Sequence, residues 1–396
     1  MSVTIQPRLL TYFDAVEHLR AYENAGASDV NNQQYKEAVL DGLDELQAVF
    51  DWSYYHEEAE VSLVAPYETG TWTYTHTGGA AERLVTFSTA LTGDALNNTI
   101  YYRLQHGDIW YPIDTFESNT TATLRPDMNP GADVTTAVTT KLMRSVYTLP
   151  SDFKNMDPPH AEQSYWNQQG MTINDWSGME RHINSSGNPP YWYAVGPDPN
   201  LFGQMALYVQ HHPSSAEGLR FIYRRFPRQP KFTGFETNSN TGTVAISSGA
   251  TAVTGSGTTF TSDMVGSILR IGDTSNLPGG LNSLNPFVEQ HTITGFSSTT
   301  SITIGSAVSQ VFSGEKFRIT SPIDVRPTMI RPFKRACEVA LGHIRPTSLR
   351  PLNARVAAFT RDVKQARAAD STIEPLGSSY GVGMRLDFVV PSVNQS

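Results

Sequence analysis

Ile113-Asp114-Thr115-Phe116-Glu117-Ser118-Asn119-Thr120-Thr121-Ala122-Thr123-Leu124 and Ile293-Thr294-Gly295-Phe296-Ser297-Ser298-Thr299-Thr300-Ser301-Ile302-Thr303-Ile304 are one strand–turn–strand phrase written twice. Five of the twelve positions are identical. Working outward, each copy opens on a Thr-Gly-Thr, at Thr69-Gly70-Thr71 and Thr241-Gly242-Thr243. Each also holds a Thr-Phe pair before a hydroxyl residue, Thr86-Phe87-Ser88 and Thr259-Phe260-Thr261. Self-similarity of this kind marks a duplicated structural unit. We therefore expect residues 69–150 and 241–321 to share one small β fold. The second copy has few charges and Thr/Ser/Asn/Gly-rich flanks, so it reads as an inserted, outward appendage.

Helical patterning surrounds the modules. Thr11 and Asp14 have capping-box spacing, and Phe13, Val16, Leu19 and Tyr22 form a stripe, so residues 11–25 read as a helix. Tyr35, Val39, Leu43, Leu46 and Phe50 recur at helical spacing over 33–51. Pro332 stands where a first helical residue would, ahead of Phe333, Cys337, Ala340, Leu341 and Ile344. A last helix, about 354–369, places Val356, Phe359 and Val363 on one face. Arg355, Arg361, Lys364 and Arg367 fall largely off that face. Strands are expected at 191–195, 204–209 and 219–224, and irregular structure at 151–190.

The fold class expected is α+β: a helical bundle from the N- and C-terminal segments, with a β-rich middle holding two related modules. The segments are 1–60 (helical), 61–150 (first module), 151–236 (irregular region and central strands), 237–321 (second module), 322–372 (helical) and 373–396 (extended arm).

Composition narrows the function classes. Charged residues make up 17% of the 396-residue chain, below the roughly 25% of an average soluble protein. One cysteine, Cys337, excludes an intrachain disulfide and a cysteine-cluster metal site. No apolar run approaches the ~20 residues that span a bilayer, so no membrane partner is expected. Met1 to Arg20 lacks a signal-peptide layout, and we expect a chain made or assembled in the cytosol. Residues 1–150 hold 20 acids and 8 bases, whereas residues 322–396 hold 6 acids and 11 bases. Opposed ends of this kind suit complementary self-assembly. The net charge of −9 argues against DNA binding as the main role.

The search for chemistry is thin. His211-His212 would point to opposite faces of a strand. Glu57, Glu58 and Glu60 could be a carboxylate pair for glycoside chemistry, but read better as a solvated acidic edge. Gly255-Ser256-Gly257-Thr258 lacks the lysine and following helix of a phosphate loop. Cys337 lies on an apolar stripe, as a core residue would. No catalytic, metal or cofactor residue is expected, and the chain does not read as an enzyme. Arg355, Arg361, Lys364 and Arg367 are instead candidates for a basic face between subunits.

Three further stretches carry a resemblance. They are Ala48-Val49-Phe50-Asp51-Trp52 after two helices; Tyr147-Thr148-Leu149-Pro150-Ser151-Asp152-Phe153 with the later Phe221-Ile222-Tyr223-Arg224-Arg225-Phe226-Pro227; and Val253-Thr254-Gly255-Ser256-Gly257-Thr258-Thr259-Phe260. Together they resemble tailed-bacteriophage head-to-tail adaptor (connector, neck) proteins, with the second module as a departure. The resemblance implies a virion structural protein assembled in the host cytoplasm, forming a dodecameric ring between portal and tail proteins. Genomic DNA would pass through it without sequence-specific binding. It also implies portal docking through an extended terminal segment. Here that segment would be the arm with Leu386, Phe388, Val389 and Val390, whose alternation suits strand addition. The rival reading is a tail-associated receptor-binding or decoration protein, its β-modules binding glycan or other tail proteins.

Overall fold

The computed structural model describes residues 9–23, 32–77, 82–156, 169–170, 192–210, 215–280, 283–345 and 351–371. The arm with Leu386, Phe388, Val389 and Val390 lies outside them, as does most of 151–190. The chain forms two compact units, Met1–Tyr55 with Pro227–Ser396, and His56–Phe226. The expected helical-bundle α+β class is corrected. The molecule is mostly β, built on two seven-stranded curled antiparallel sheets, with short helices beside them. The helical stripes were real, but the sheets and their flanking strands occupy far more of the chain.

In the His56–Phe226 unit, β1 (His56–Leu63) enters and β14 (Glu217–Arg225) leaves as an antiparallel pair along their length. β10 (Phe153–Met156) joins them in a three-stranded sheet. A four-stranded sheet runs β11 (Gln169–Gly170), β12 (Trp192–Pro197), β13 (Met205–Gln210), β9 (Val146–Thr148). Both sheets contribute to one apolar cluster that includes Val61, Tyr147, Leu207, Leu219 and Phe221. The remaining strands are β2 (Thr71–Thr75), β3 (Leu84–Phe87), β4 (Tyr102–His106), β5 (Ile109–Ser118), β6 (Thr121–Leu124), β7 (Val134–Thr139) and β8 (Leu142–Arg144). They form the first seven-stranded sheet in the order β7-β2-β3-β6-β5-β4-β8. A short helix, α3 (Gly93–Asn97), sits between β3 and β4.

The second sheet belongs to the other unit. Its strands are β15 (Thr243–Ile246), β16 (Ala252–Ser256), β17 (Ile268–Ile271), β18 (Glu289–Ser298), β19 (Ser301–Ile304), β20 (Phe312–Glu315) and β21 (Phe317–Thr320). They run β20-β15-β16-β19-β18-β17-β21, the same order strand for strand. The quoted hairpins match in register as well. Ile113 faces Leu124 and Phe116 faces Ala122, as Ile293 faces Ile304 and Phe296 faces Ile302, with irregularities at the same two places. Such bulges bend the paired strands and add twist, which fits two sheets that curl alike. Alternate residues fill each core, as with Ile302 and Ile304 in β19 and Ala122 and Leu124 in β6.

One proposed alignment is corrected. Thr86 pairs with Thr121 and Thr254 pairs with Ser301, so Thr254 is the counterpart of Thr86. The Phe260 amide donates to Thr299 O as the Leu91 amide donates to Asn119 O, so Phe260 answers to Leu91. The connection is one residue longer in the second copy, and a larger ring fills the same core position.

The helices come from both chain ends. α1 (Tyr12–Tyr22), α2 (Asn32–Val49), α5 (Ile330–Ile344) and α6 (Leu352–Ser371) bury Val16, Leu19, Val39, Leu43, Phe333, Leu341 and Phe359 in one cluster; α4 is a single turn, Thr237–Asn240. Pro332 lies inside the first turn of α5 rather than at its first residue, because a 3-10 turn at Pro327–Met329 leads into it. α5 packs against both α2 and α6. Gly42 makes the first contact possible: a Cβ there would stand 2.7 Å from Cys337 N and Sγ.

The second module does not stand away from these helices. Tyr12 N donates to Ser321 O at 2.9 Å, and Phe13 N donates to Thr320 Oγ1 at 3.1 Å. The Arg318 guanidinium lies 4.1 Å from the centre of the Phe13 ring. The expected appendage is thus hydrogen-bonded to α1, whose Thr11–Asp14 capping box is formed.

Candidate functional site

The basic residues singled out from sequence do not form one face. Arg355 is buried, its Nη1 donating to Glu338 O at 2.8 Å and its Nη2 to Glu23 Oε1 at 3.1 Å. It is an internal strut and is withdrawn from any subunit surface. Arg367 is half-buried over the Phe50 ring, 4.5 Å from its centre. Arg361 and Lys364 remain exposed on α6.

The structure adds residues that sequence reasoning missed. Asp362, 1% exposed, accepts from Arg331 at 3.0 Å and Arg361 at 3.2 Å, with Arg335 at 3.5 Å. Arg335 also donates to Glu338 at 2.7 Å, and His18 Nε2 lies 3.0 Å from the other Glu338 oxygen. Burial by itself would raise the Glu338 carboxyl. The bonds from His18 and Arg335 outweigh it and hold the group below the ordinary carboxylate range. The bond to Glu338 raises Arg335 in turn. The signal for this network was the Arg331, Arg335, Glu338 spacing on one helical face. Asp362 offered little, since beyond its neighbour Arg361 its partners Arg331 and Arg335 come from another helix.

A second polar chain lies in the second module. Ser306 Oγ is 2.8 Å from His291 Nδ1, and His291 Nε2 is 2.9 Å from Glu289 Oε2. Ser309 N and Oγ both donate to Glu289. Burial would raise the Glu289 carboxyl, but the bonds from Ser309 and His291 hold it low. His291 and Ser306 border a cavity of about 510 Å³ with Tyr54, Gln290 and Arg326. Register places Ile109 and Tyr111 of the first module where Glu289 and His291 stand. The trio is therefore an addition to the shared fold, and it fastens the start of β18 to the segment leaving β19.

The other sequence candidates resolve simply. Glu60 is paired with Arg220 at 2.7 Å and Glu57 with Arg225 at 3.2 Å, across the β1–β14 ladder. Gly255 to Thr258 form the end of β16 and a turn, Gly257 having φ +66° and Thr258 Oγ1 donating to Thr299 O. Cys337 is buried, and burial raises its thiol well above the ordinary value, which disfavours the thiolate. His211-His212 lies outside the described residues. Among the described residues no group of three or more His, Cys, Asp or Glu side chains could hold a metal ion. No described helix is long and apolar enough to cross a membrane.

One exposed feature stands out in the His56–Phe226 unit. Asp198, buried, accepts from the amides of Asn200 and Leu201 at 2.8 and 2.9 Å and from the hydroxyls of Tyr101 and Thr148 at 3.1 and 2.8 Å. This fixes the β12–β13 turn, which presents Leu201 and a fully exposed Phe202.

Comparison of the chain with protein-family models, with curated proteins and with solved structures finds no match in any of the three.

Proposed function

We propose that the protein is a virion structural component of the head-to-tail adaptor kind, a homo-oligomeric ring between portal and tail proteins, assembled in the host cytoplasm. The observation that carries this reading is the helical layer built from both chain ends. Its α2 surface is acidic, with Glu37, Asp41 and Glu45 exposed, and its α5–α6 surface is basic, with Arg331, Arg361 and Lys364 exposed or nearly so. Distinct, complementary surfaces on one subunit favour head-to-tail contacts, the kind that closes into a ring when the rotation between subunits divides a full turn. A net-acidic ring would let DNA pass without retaining it. The apolar alternation of Leu386, Phe388 and Val390 supports an arm that adds as a strand to the portal.

The test is co-sedimentation of purified protein with portal-bearing, tail-less heads. Saturable binding at one site per head, lost on truncation at Leu376, is expected. Binding scattered over the capsid, or to host cells in place of heads, contradicts it. The exposed Leu201-Phe202 turn favours a second reading, a tail-associated binding protein. That reading predicts binding to host cells.

A further inference from the structure

We infer that α2 of one copy docks on the α5–α6 surface of the next, acidic stripe against basic patch. This rests on the ring reading above and names the contact that builds the ring.

The stripe follows from helix geometry. Glu37, Asp41 and Glu45 recur every four residues, so they line one side of α2. All three are exposed, while Tyr35, Val39, Leu43 and Leu46 on the other side are buried in the core. The helix thus presents three carboxylates in a row to solvent.

The opposing patch is built around Asp362. Its one buried carboxylate meets the guanidinium groups of Arg331, Arg335 and Arg361. Glu338 takes the other arm of Arg335. Lys364 stands one turn beyond Arg361 and is exposed. Four cations against two carboxylates leave an excess of two positive charges at this surface. The side chains of Arg331 and Arg361 remain 64% and 58% exposed while tethered to Asp362. Tethering lowers the entropy that docking would otherwise remove, so these arginines are prepared for a second carboxylate. The acidic stripe runs at i, i+4 along α2, and the basic side chains facing outward come from two neighbouring helices, Arg331 from α5 and Arg361 and Lys364 from α6, so that α2 can lie across both. A second copy carries the matching surface, and like-with-like contact of either surface would be repulsive.

A charge-swap experiment on the full chain tests this. One variant carries Glu37→Lys, Asp41→Lys and Glu45→Lys. The other carries Arg361→Glu and Lys364→Glu, leaving Arg331 and Arg335 on Asp362. Circular dichroism melting confirms that each is folded; if the second is not, Arg361→Gln with Lys364→Gln replaces it. Mass is measured by analytical ultracentrifugation at low and high salt. Wild type should associate beyond a dimer at about 0.05 M salt and dissociate near 0.5 M, where screening is short-ranged. Each charge-reversed variant alone should associate about a hundredfold more weakly. Mixing the two should restore association, because each then offers the complement of the other. If the neutral pair is used, its own weakened association is the expected result. Folded variants that assemble like wild type, a mixture of the two charge-reversed variants that stays dissociated, or a wild type that stops at a dimer would each overturn the contact. The first leaves the adaptor ring standing on some other interface. A wild type that stays monomeric both at low salt and on heads removes the ring reading itself.

Discussion

Arg270 of β17 grips Asp14 of α1 through two parallel hydrogen bonds, Nη1 to Oδ1 at 2.8 Å and Nη2 to Oδ2 at 2.7 Å. Asp14 is also the acidic partner in the capping box of α1, so one carboxylate starts the helix and fastens it to the second module. Gly280 allows the approach, since a Cβ there would lie 2.4 Å from Asp14 Oδ1. Arg270 is 1% exposed, and removing one partner of a buried pair costs about 3–5 kcal/mol. Arg270→Ala should therefore lower stability by that amount in urea unfolding. Arg270→Lys should recover only part of it, because an ammonium cannot bridge both oxygens. A loss below about 1 kcal/mol would show that the module and helix do not depend on each other.

Gly42→Ala should destabilise the α2–α5 contact by about 1–3 kcal/mol, the usual range for overpacking. The added Cβ meets backbone as well as the Cys337 sulfur. Removing the sulfur with Cys337→Ala should therefore not rescue it. Thermal melts of the single and double variants measure this.

The Glu338 carboxyl sits below its ordinary value of 4.5 in the folded protein. A depressed carboxylate contributes stability that is fully present above the unfolded value and lost as pH falls through the folded one. Melting temperature should accordingly fall below about pH 4.5. Glu338→Gln should be less stable than wild type at neutral pH and lose less on acidification. Parallel acid slopes for the two proteins would remove Glu338 from the account.

Asp198→Ala strips four hydrogen-bond donors of their acceptor, two amides and two hydroxyls. With the group buried, a loss of about 2–4 kcal/mol is expected. Amide hydrogen exchange should rise at Asn200 and Leu201. Unchanged exchange would mean that Gly203, with its φ of +78°, holds the turn without Asp198.

The repeat was legible because period-two alternation and paired turns are local signals, and both copies keep them. The Thr86–Thr254 equivalence was hidden, because a single extra residue before Phe260 shifts the sequence match without disturbing the ladder. The helix positions were likewise readable, but not the rotation of α6. Helical spacing puts Val356 inward and Arg355 outward, whereas Val356 is 41% exposed and Arg355 is 2% exposed. Glu23 and the Glu338 carbonyl, both distant in sequence, supply the partners that let a guanidinium be buried there. The same cause hid Asp362, which gathers Arg331 and Arg335 of α5 as well as its neighbour Arg361. The share of β structure was underestimated because β8, β9 and β10 are too short to show alternation.

Cryo-electron microscopy of the purified protein bound to portal-bearing heads tests the central claim most directly. The account predicts a closed ring at the portal vertex, with each subunit touching two neighbours through α2 on one side and α5–α6 on the other. Single subunits or trimers at a tail tip or on the capsid surface, with no ring at the portal, would contradict it.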